Sequence, residues 1–183
     1  PWIVDTLRGI AEDPIAKDLA IKQCKLQPIP IVIAAQSTEA CRRAARLNAG
    51  ILFDSLQSPE VSKKLSCIYR EAGGNGPVIL IRRVWIGSPP TSQIQAQMEH
   101  YHSYASERAK ANWIQGDSTV FGQNGAEAAE RLSGILHDSG CDTVNIRVHV
   151  AGLRADQVVE QLGKHKDDLV PVLKSDLKRC LLY

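Results

Sequence analysis

A chain of 183 residues, 44% hydrophobic and 23% charged, is long enough to bury one sizeable core and too apolar to remain disordered. The net charge is only +2, with lysines and arginines spread among acids, which argues against a nucleic-acid partner. The longest apolar run, Ile29 to Ala35, contains Pro30 and is far too short to span a bilayer, so no membrane association is expected.

The five cysteines, Cys24, Cys41, Cys67, Cys141 and Cys180, are odd in number and include no CxxC pair. This points away from a disulfide framework or zinc site and toward plain thiols in a reducing cytoplasm. No signal-peptide pattern opens the chain. Pro1-Trp2-Ile3-Val4 lacks an initiator Met and reads as the interior of a longer or processed precursor.

Residues 1–28 form a weakly patterned lead-in with turns at Asp13-Pro14 and Gln27-Pro28 and a short helix expected over 14–24. The run 29–35 is apolar and β-branched, as a parallel strand covered on both faces requires. Ser37 then caps a helix running to about Asn48, with Ala40, Ala44 and Leu47 on one face and Gly50 closing it. Residues 51–53 read as a short strand. Ser58-Pro59-Glu60 starts a helix with the apolar stripe Val61, Leu65, Ile68 and Ala72, ended by Gly73-Gly74.

Residues 77–86 form a third strand, broken by Gly87-Ser88-Pro89-Pro90, and a helix is expected over roughly 92–111. The polar, Gly-bearing segment 115–125 reads as a loop able to act as a lid. Asn124 with Glu127 has capping-box spacing. The helix it opens buries Ala129, Leu132 and Leu136 and stops at Gly140. Residues 143–150 form a fourth strand, followed by helical residues around Val158–Leu173. Four strands alternating with helices imply an α/β fold with parallel strands. Four do not close a barrel, so the sheet is open or is half of an eight-stranded one.

Ile29-Pro-Ile-Val-Ile-Ala-Ala-Gln-Ser-Thr followed by Cys41-Arg-Arg-Ala-Ala-Arg-Leu-Asn-Ala-Gly resembles a strand and helix of the luciferase-like monooxygenase family. The departure is at Asn48-Ala49-Gly50, where that family has Ala-Asp-Gly. Gly125-Ala-Glu-Ala-Ala-Glu-Arg-Leu, Ser139-Gly-Cys-Asp and Ile146-Arg-Val-His-Val-Ala-Gly-Leu are similar to its closing helix, turn and strand. The resemblance covers roughly 28–175. It implies a single domain over 1–183 that is the C-terminal half of a TIM-type (β/α)8 barrel, carrying FMN or coenzyme F420. The family's N-terminal half, with its substrate pocket and usual catalytic group, has no counterpart in these residues.

Ala35-Gln36-Ser37-Thr38 sits where a parallel strand gives way to a helix. The first amides of that helix lack partners and carry partial positive charge, which suits a phosphate. By resemblance this corner holds the cofactor phosphate. Read from the residues alone it is first a plain Ser cap with Glu39 complementing the dipole, and an acid in the first turn repels a phosphate unless it points away. Arg42, Arg43 and Arg46 lie beyond the first turn and read as a solvated face. His149 shares a direction with Arg147 and Asn145 on the fourth strand. The trio would either line a cofactor pocket or form an internal hydrogen-bonded network. Arg82 and Arg83 must face opposite ways. His100 and His102 do not share a helix face, so no metal pair is expected, and no catalytic residue is identifiable.

Two functions compete, beside a weaker third reading, an open α/β sheet binding another phosphorylated ligand. One is a flavin-dependent oxidoreductase or monooxygenase acting on a small-molecule substrate, completed by a second copy or a complementary chain. The other is a non-catalytic flavin-binding or interaction module with the same need for a partner, because a half-barrel leaves open edges and an apolar interior.

Overall fold

The computed structural model describes residues 2–10, 18–114 and 118–180, with side chains up to residue 175. The lead-in holds two short helices, α1 (Trp2–Leu7) and α2 (Leu19–Leu26). Asp18 caps α2 by accepting the Ala20 amide at 2.7 Å. Residues 14–17 of the helix expected over 14–24 lie outside the described residues.

The body is a parallel five-stranded sheet: β1 (Val32–Ala34), β2 (Gly50–Phe53), β3 (Val78–Ile86), β4 (Val120–Gly122) and β5 (Thr143–Arg147). Helices separate them in sequence. They are α3 (Thr38–Arg46), α4 (Pro59–Glu71), the pair α5 (Thr91–Tyr104) and α6 (Glu107–Lys110), and α7 (Gly125–Ser139). The chain ends in α8 (Ala155–Lys164), a π-helical turn His165–Leu169 and α9 (Val170–Cys180). β3 organises the sheet. Its first residues pair with β2 (Ile51 with Val78), its middle pairs with β5 (Ile79 with Thr143 through Arg83 with Arg147), and its end pairs with β4 (Val84 with Val120).

The four expected strands are present, and β4 is an addition. Ser118 and Thr119 are buried, Val120–Gly122 are strand, Gln123 and Asn124 are exposed and Gly125 opens α7, so residues 118–122 are not an exposed lid; residues 115–117 lie outside the described residues. Gly50 does not close α3. That turn is made by Asn48 at φ 49°, and Gly50 already belongs to β2, where a Cβ would lie 2.7 Å from the Pro77 carbonyl oxygen. The expected helix over 92–111 is broken at Ala105, and Ser106 caps the short α6. Ala72 is exposed, and the buried stripe of α4 is Ser62, Leu65, Ser66 and Tyr69.

Alternation along the strands sorts their side chains onto two faces. Ile51, Phe53, Val78, Leu80, Val84 and Ile86 pack with Ala40 and Ala44 of α3, Leu65 and Tyr69 of α4, and Ala128, Leu132 and Leu136 of α7. Ala34, Asn145 and Arg147, on the other face, are exposed. The main helical layer therefore lies on one side of a parallel sheet, as in half of a (β/α)8 barrel, while on the other face Ile81, Arg83 and Trp85 of β3 are also buried. No helix among the described residues is long and apolar enough to cross a membrane.

Candidate functional site

In parallel α/β proteins, ligands gather where strands end and helices begin. Two adjoining clefts among the described residues lie at that edge. The first, of about 350 Å3, is lined by Ala34, Gln36, Ser37 and Ala40 from the β1–α3 junction and by Ser106, Arg108, Ala109 and Asn112 from α6 and its flanks. Ser37 is in extended conformation and its Oγ accepts the Ala40 amide at 3.3 Å. The Thr38 and Glu39 amides have no preceding helical carbonyl to bind. Glu39 does not line the cleft; its carboxylate is paired with Arg42 at 2.8 Å on the exposed flank of the helix. The positive end of α3 is thus left uncompensated toward the cleft. Arg108 adds a cation from the opposite wall and is in no ion pair among the described residues.

Of the residues expected here, Gln36 and Ser37 line the cleft. Thr38 is the half-buried first residue of α3 but not part of the lining. Ala35 is fully buried, its amide donating to the Leu52 carbonyl at 3.2 Å, so it supports the corner from behind. Arg43 and Arg46 are exposed, as a solvated face requires. Arg108 and Asn112 are contributions that the reading of a single helix over 92–111 does not reveal. The available signal is Ser106-Glu107, an N-cap followed by an acid inside a supposedly continuous helix.

The second cleft, of about 270 Å3, is lined by Asp54, Ser55, Leu56, Tyr101, Tyr104, Trp113 and Arg147. Asp54 follows β2 and holds its loop: Oδ1 accepts the Leu56 and Gln57 amides at 2.8 and 2.9 Å, and Oδ2 accepts Gln36 Nε2 at 2.6 Å. That last bond joins the two clefts. Behind the loop, Arg82 is fully buried and donates to the carbonyls of Ser55 and Gln57 at 3.0 and 2.7 Å. Burial pushes its guanidinium down to about 10, with Cys141 and Asp54 acting in the opposite sense, and it stays charged at neutral pH. Trp113 is fixed by the Gln57–Trp113 bridge and by edge contact with His102 at 5.2 Å.

Arg82 and Arg83 face opposite sides, as strand alternation demands. Of the polar trio on β5, Arg147 lines the second cleft, while His149 is exposed beyond the strand end and lines neither cleft. Its carbonyl accepts Arg83 Nε at 3.4 Å. His100 and His102 are not brought together with other ligating groups, and no cluster of three or more metal-ligating side chains exists among the described residues.

No family model matches the sequence, and no curated protein matches it. Solved structures do match the fold. The monooxygenase RslO1 from Streptomyces bottropensis superposes with a TM-score of 0.54 at 17% identity, over 79% of this chain and 49% of that one. The EDTA monooxygenase EmoA from Chelativorans sp. BNC1 gives 0.50 at 14%, over 81% and 47%. Flavoprotein 390 gives 0.56 at 14%, over 79% and 67%. The chain spans about half the length of the two monooxygenases. At these identities the likeness is one of fold alone: an α/β chain with parallel strands alternating with helices, like half of a TIM-type barrel.

Proposed function

We propose that the chain is the cofactor-phosphate half of a flavin-dependent oxidoreductase of the luciferase-like monooxygenase type, with FMN or coenzyme F420 as cofactor. One observation carries the reading: the first cleft brings the start of α3, with Gln36 and Ser37, together with Arg108, a cation in no ion pair among the described residues. A helix N-terminus, a hydroxyl and a guanidinium beside one cleft are what an anionic phosphate needs. Glu39, the one acid in the first turn, is turned away to Arg42. The fold likeness to monooxygenases and a flavoprotein supports the same reading.

Bound flavin would supply hydride exchange or reaction of its reduced form with oxygen. This chain's residues would hold and orient it: Ser37, Thr38 and Arg108 at the phosphate, and Gln36, tethered to Asp54, at the passage to the second cleft. His149 lines neither cleft and is given no part in holding the cofactor. A second copy or a complementary chain would cover the open sheet face, on which Ala34 and Asn145 are exposed.

The alternative, a non-catalytic flavin-binding module, is favoured by one feature. The second cleft holds no histidine, and its single carboxylate, Asp54, is fully engaged in structural hydrogen bonds. Oxidation of the reduced cofactor by oxygen in the presence of the chain separates the two: acceleration supports the enzyme, none supports the module.

The binding site itself is tested by cofactor fluorescence. Ser37→Ala with Thr38→Ala should weaken binding by about 1–3 kcal/mol, the scale of lost hydrogen bonds to charge. Arg108→Gln should weaken it by roughly tenfold, about 1.4 kcal/mol. Unchanged affinity in both variants would remove the site.

A further inference from the structure

Beside the second cleft, which Arg147 lines and Arg83 does not, lies an arrangement that the phosphate corner does not use. Arg83 and Arg147 are direct partners in the β3–β5 register, so their side chains leave the same face of the sheet, where like charges repel. Neither pairs with a carboxylate among the described residues. Arg83 is only 4% exposed, its Nε reaches the His149 carbonyl at 3.4 Å, and its Nη1 has no partner. A buried guanidinium with no counter-charge is costly to maintain. Arg147 is exposed at the cleft wall, and the only carboxylate there, Asp54, already accepts three hydrogen bonds. The missing element is an anion.

The remaining walls specify its body. Tyr101, Tyr104 and Trp113 surround the space, and Tyr101 and Tyr104 meet edge to face at 6.1 Å. Aromatic walls favour a flat ring, and their hydroxyl and indole groups add donors. At about 270 Å3 the cleft lies just below the range for small-molecule sites, which begins at roughly 300 Å3, and so suits one or two rings and not a dinucleotide. A planar guanidinium matches a carboxylate through two parallel hydrogen bonds.

We propose that this cleft binds an aromatic carboxylate, its carboxylate against Arg147 with Arg83 behind, and its ring between Tyr101, Tyr104 and Trp113. The Gln36–Asp54 hydrogen bond at 2.6 Å makes this site the neighbour of the phosphate corner, so an aromatic carboxylate is the substrate class assigned. The word substrate rests on the flavin reading; the binding site does not.

The test uses the full chain without flavin, with benzoate, its uncharged isostere benzamide and cyclohexanecarboxylate as probes. Binding is followed by the Trp113 indole N–H resonance, assigned with Trp113→Phe. Benzoate should shift it saturably and bind at least tenfold more tightly than either other probe. Arg147→Gln, at an exposed position, should lower benzoate affinity at least tenfold and abolish the preference over benzamide, and Arg147→Lys should recover part of it. Absence of saturable benzoate binding, equal affinity for benzamide, equal affinity for cyclohexanecarboxylate, or an unchanged Arg147→Gln variant overturns the proposal. A parallel FMN titration separates the two readings: benzoate binding without cofactor binding leaves this site standing and removes the flavin, and the converse removes this site alone.

Discussion

His165 begins the π-helical turn between α8 and α9, and its ring is buried with Nε2 unpartnered. Burial holds its pKa below the ordinary 6.5, opposed by a hydrogen bond with the Val84 backbone. The unfolded chain therefore binds a proton more readily than the folded one below that pH. Stability from this residue is fully present above about 6.5 and is lost as pH falls toward the depressed folded value, by up to about 1.4 kcal/mol per unit. Urea unfolding at a series of pH values should show that decline in the native chain and a flatter profile in His165→Gln. An equally steep profile in the variant would place the titration elsewhere. The buried thiols behave in the same sense: burial lifts Cys41 to about 11 and raises Cys141. They serve as small packing groups, in keeping with the absence of a metal cluster among the described residues.

Between elements, Tyr69 links α4 to two sheet connections. Its hydroxyl donates to the Ala49 carbonyl at 2.8 Å and accepts the Gly76 amide at 2.9 Å, with the ring fully buried. Tyr69→Phe leaves both backbone groups without this partner and should cost about 1–3 kcal/mol in chemical denaturation, with cofactor affinity unchanged; a neutral substitution would mean that solvent replaces the hydroxyl.

Such links explain what the sequence can and cannot disclose. Ser58-Pro59-Glu60 and the Asn124–Glu127–Gly140 signals mark α4 and α7 because capping chemistry is local: Ser58 accepts Val61 N–H, Asn124 accepts Glu127 N–H, and Gly140 adopts φ 65°. The apolar runs of β1, β2 and β3 are equally local. β4 is not, because three residues have no usable period and Val120–Gly122 become a strand only by pairing with Val84–Ile86. The same limit divides the site. The corner Gln36-Ser37 is legible as a strand-to-helix junction. Arg108, Asn112, Tyr101 and Tyr104 reach the clefts only because the α5–α6 excursion folds back over the strand ends, which no spacing encodes.

At the scale of the molecule, one helical layer covers one face of a parallel sheet, and the strand ends carry two adjoining clefts joined by the Gln36–Asp54 bond. The first suits a phosphate and the second an aromatic anion. The sheet's other face, with Arg147 and Asn145 exposed, is the side a full barrel would enclose, which gives the proposed partner a defined surface to cover. The central question is whether a nucleotide-type phosphate is what the start of α3 and Arg108 recognise. Fluorescence titrations of the native chain with FMN, coenzyme F420 and riboflavin, the last lacking a phosphate, address this directly. Saturable binding of a phosphorylated cofactor, with riboflavin at least about tenfold weaker, or some 1.4 kcal/mol, is the predicted result. Equal affinity for riboflavin and FMN, or no binding of either phosphorylated cofactor, would contradict it.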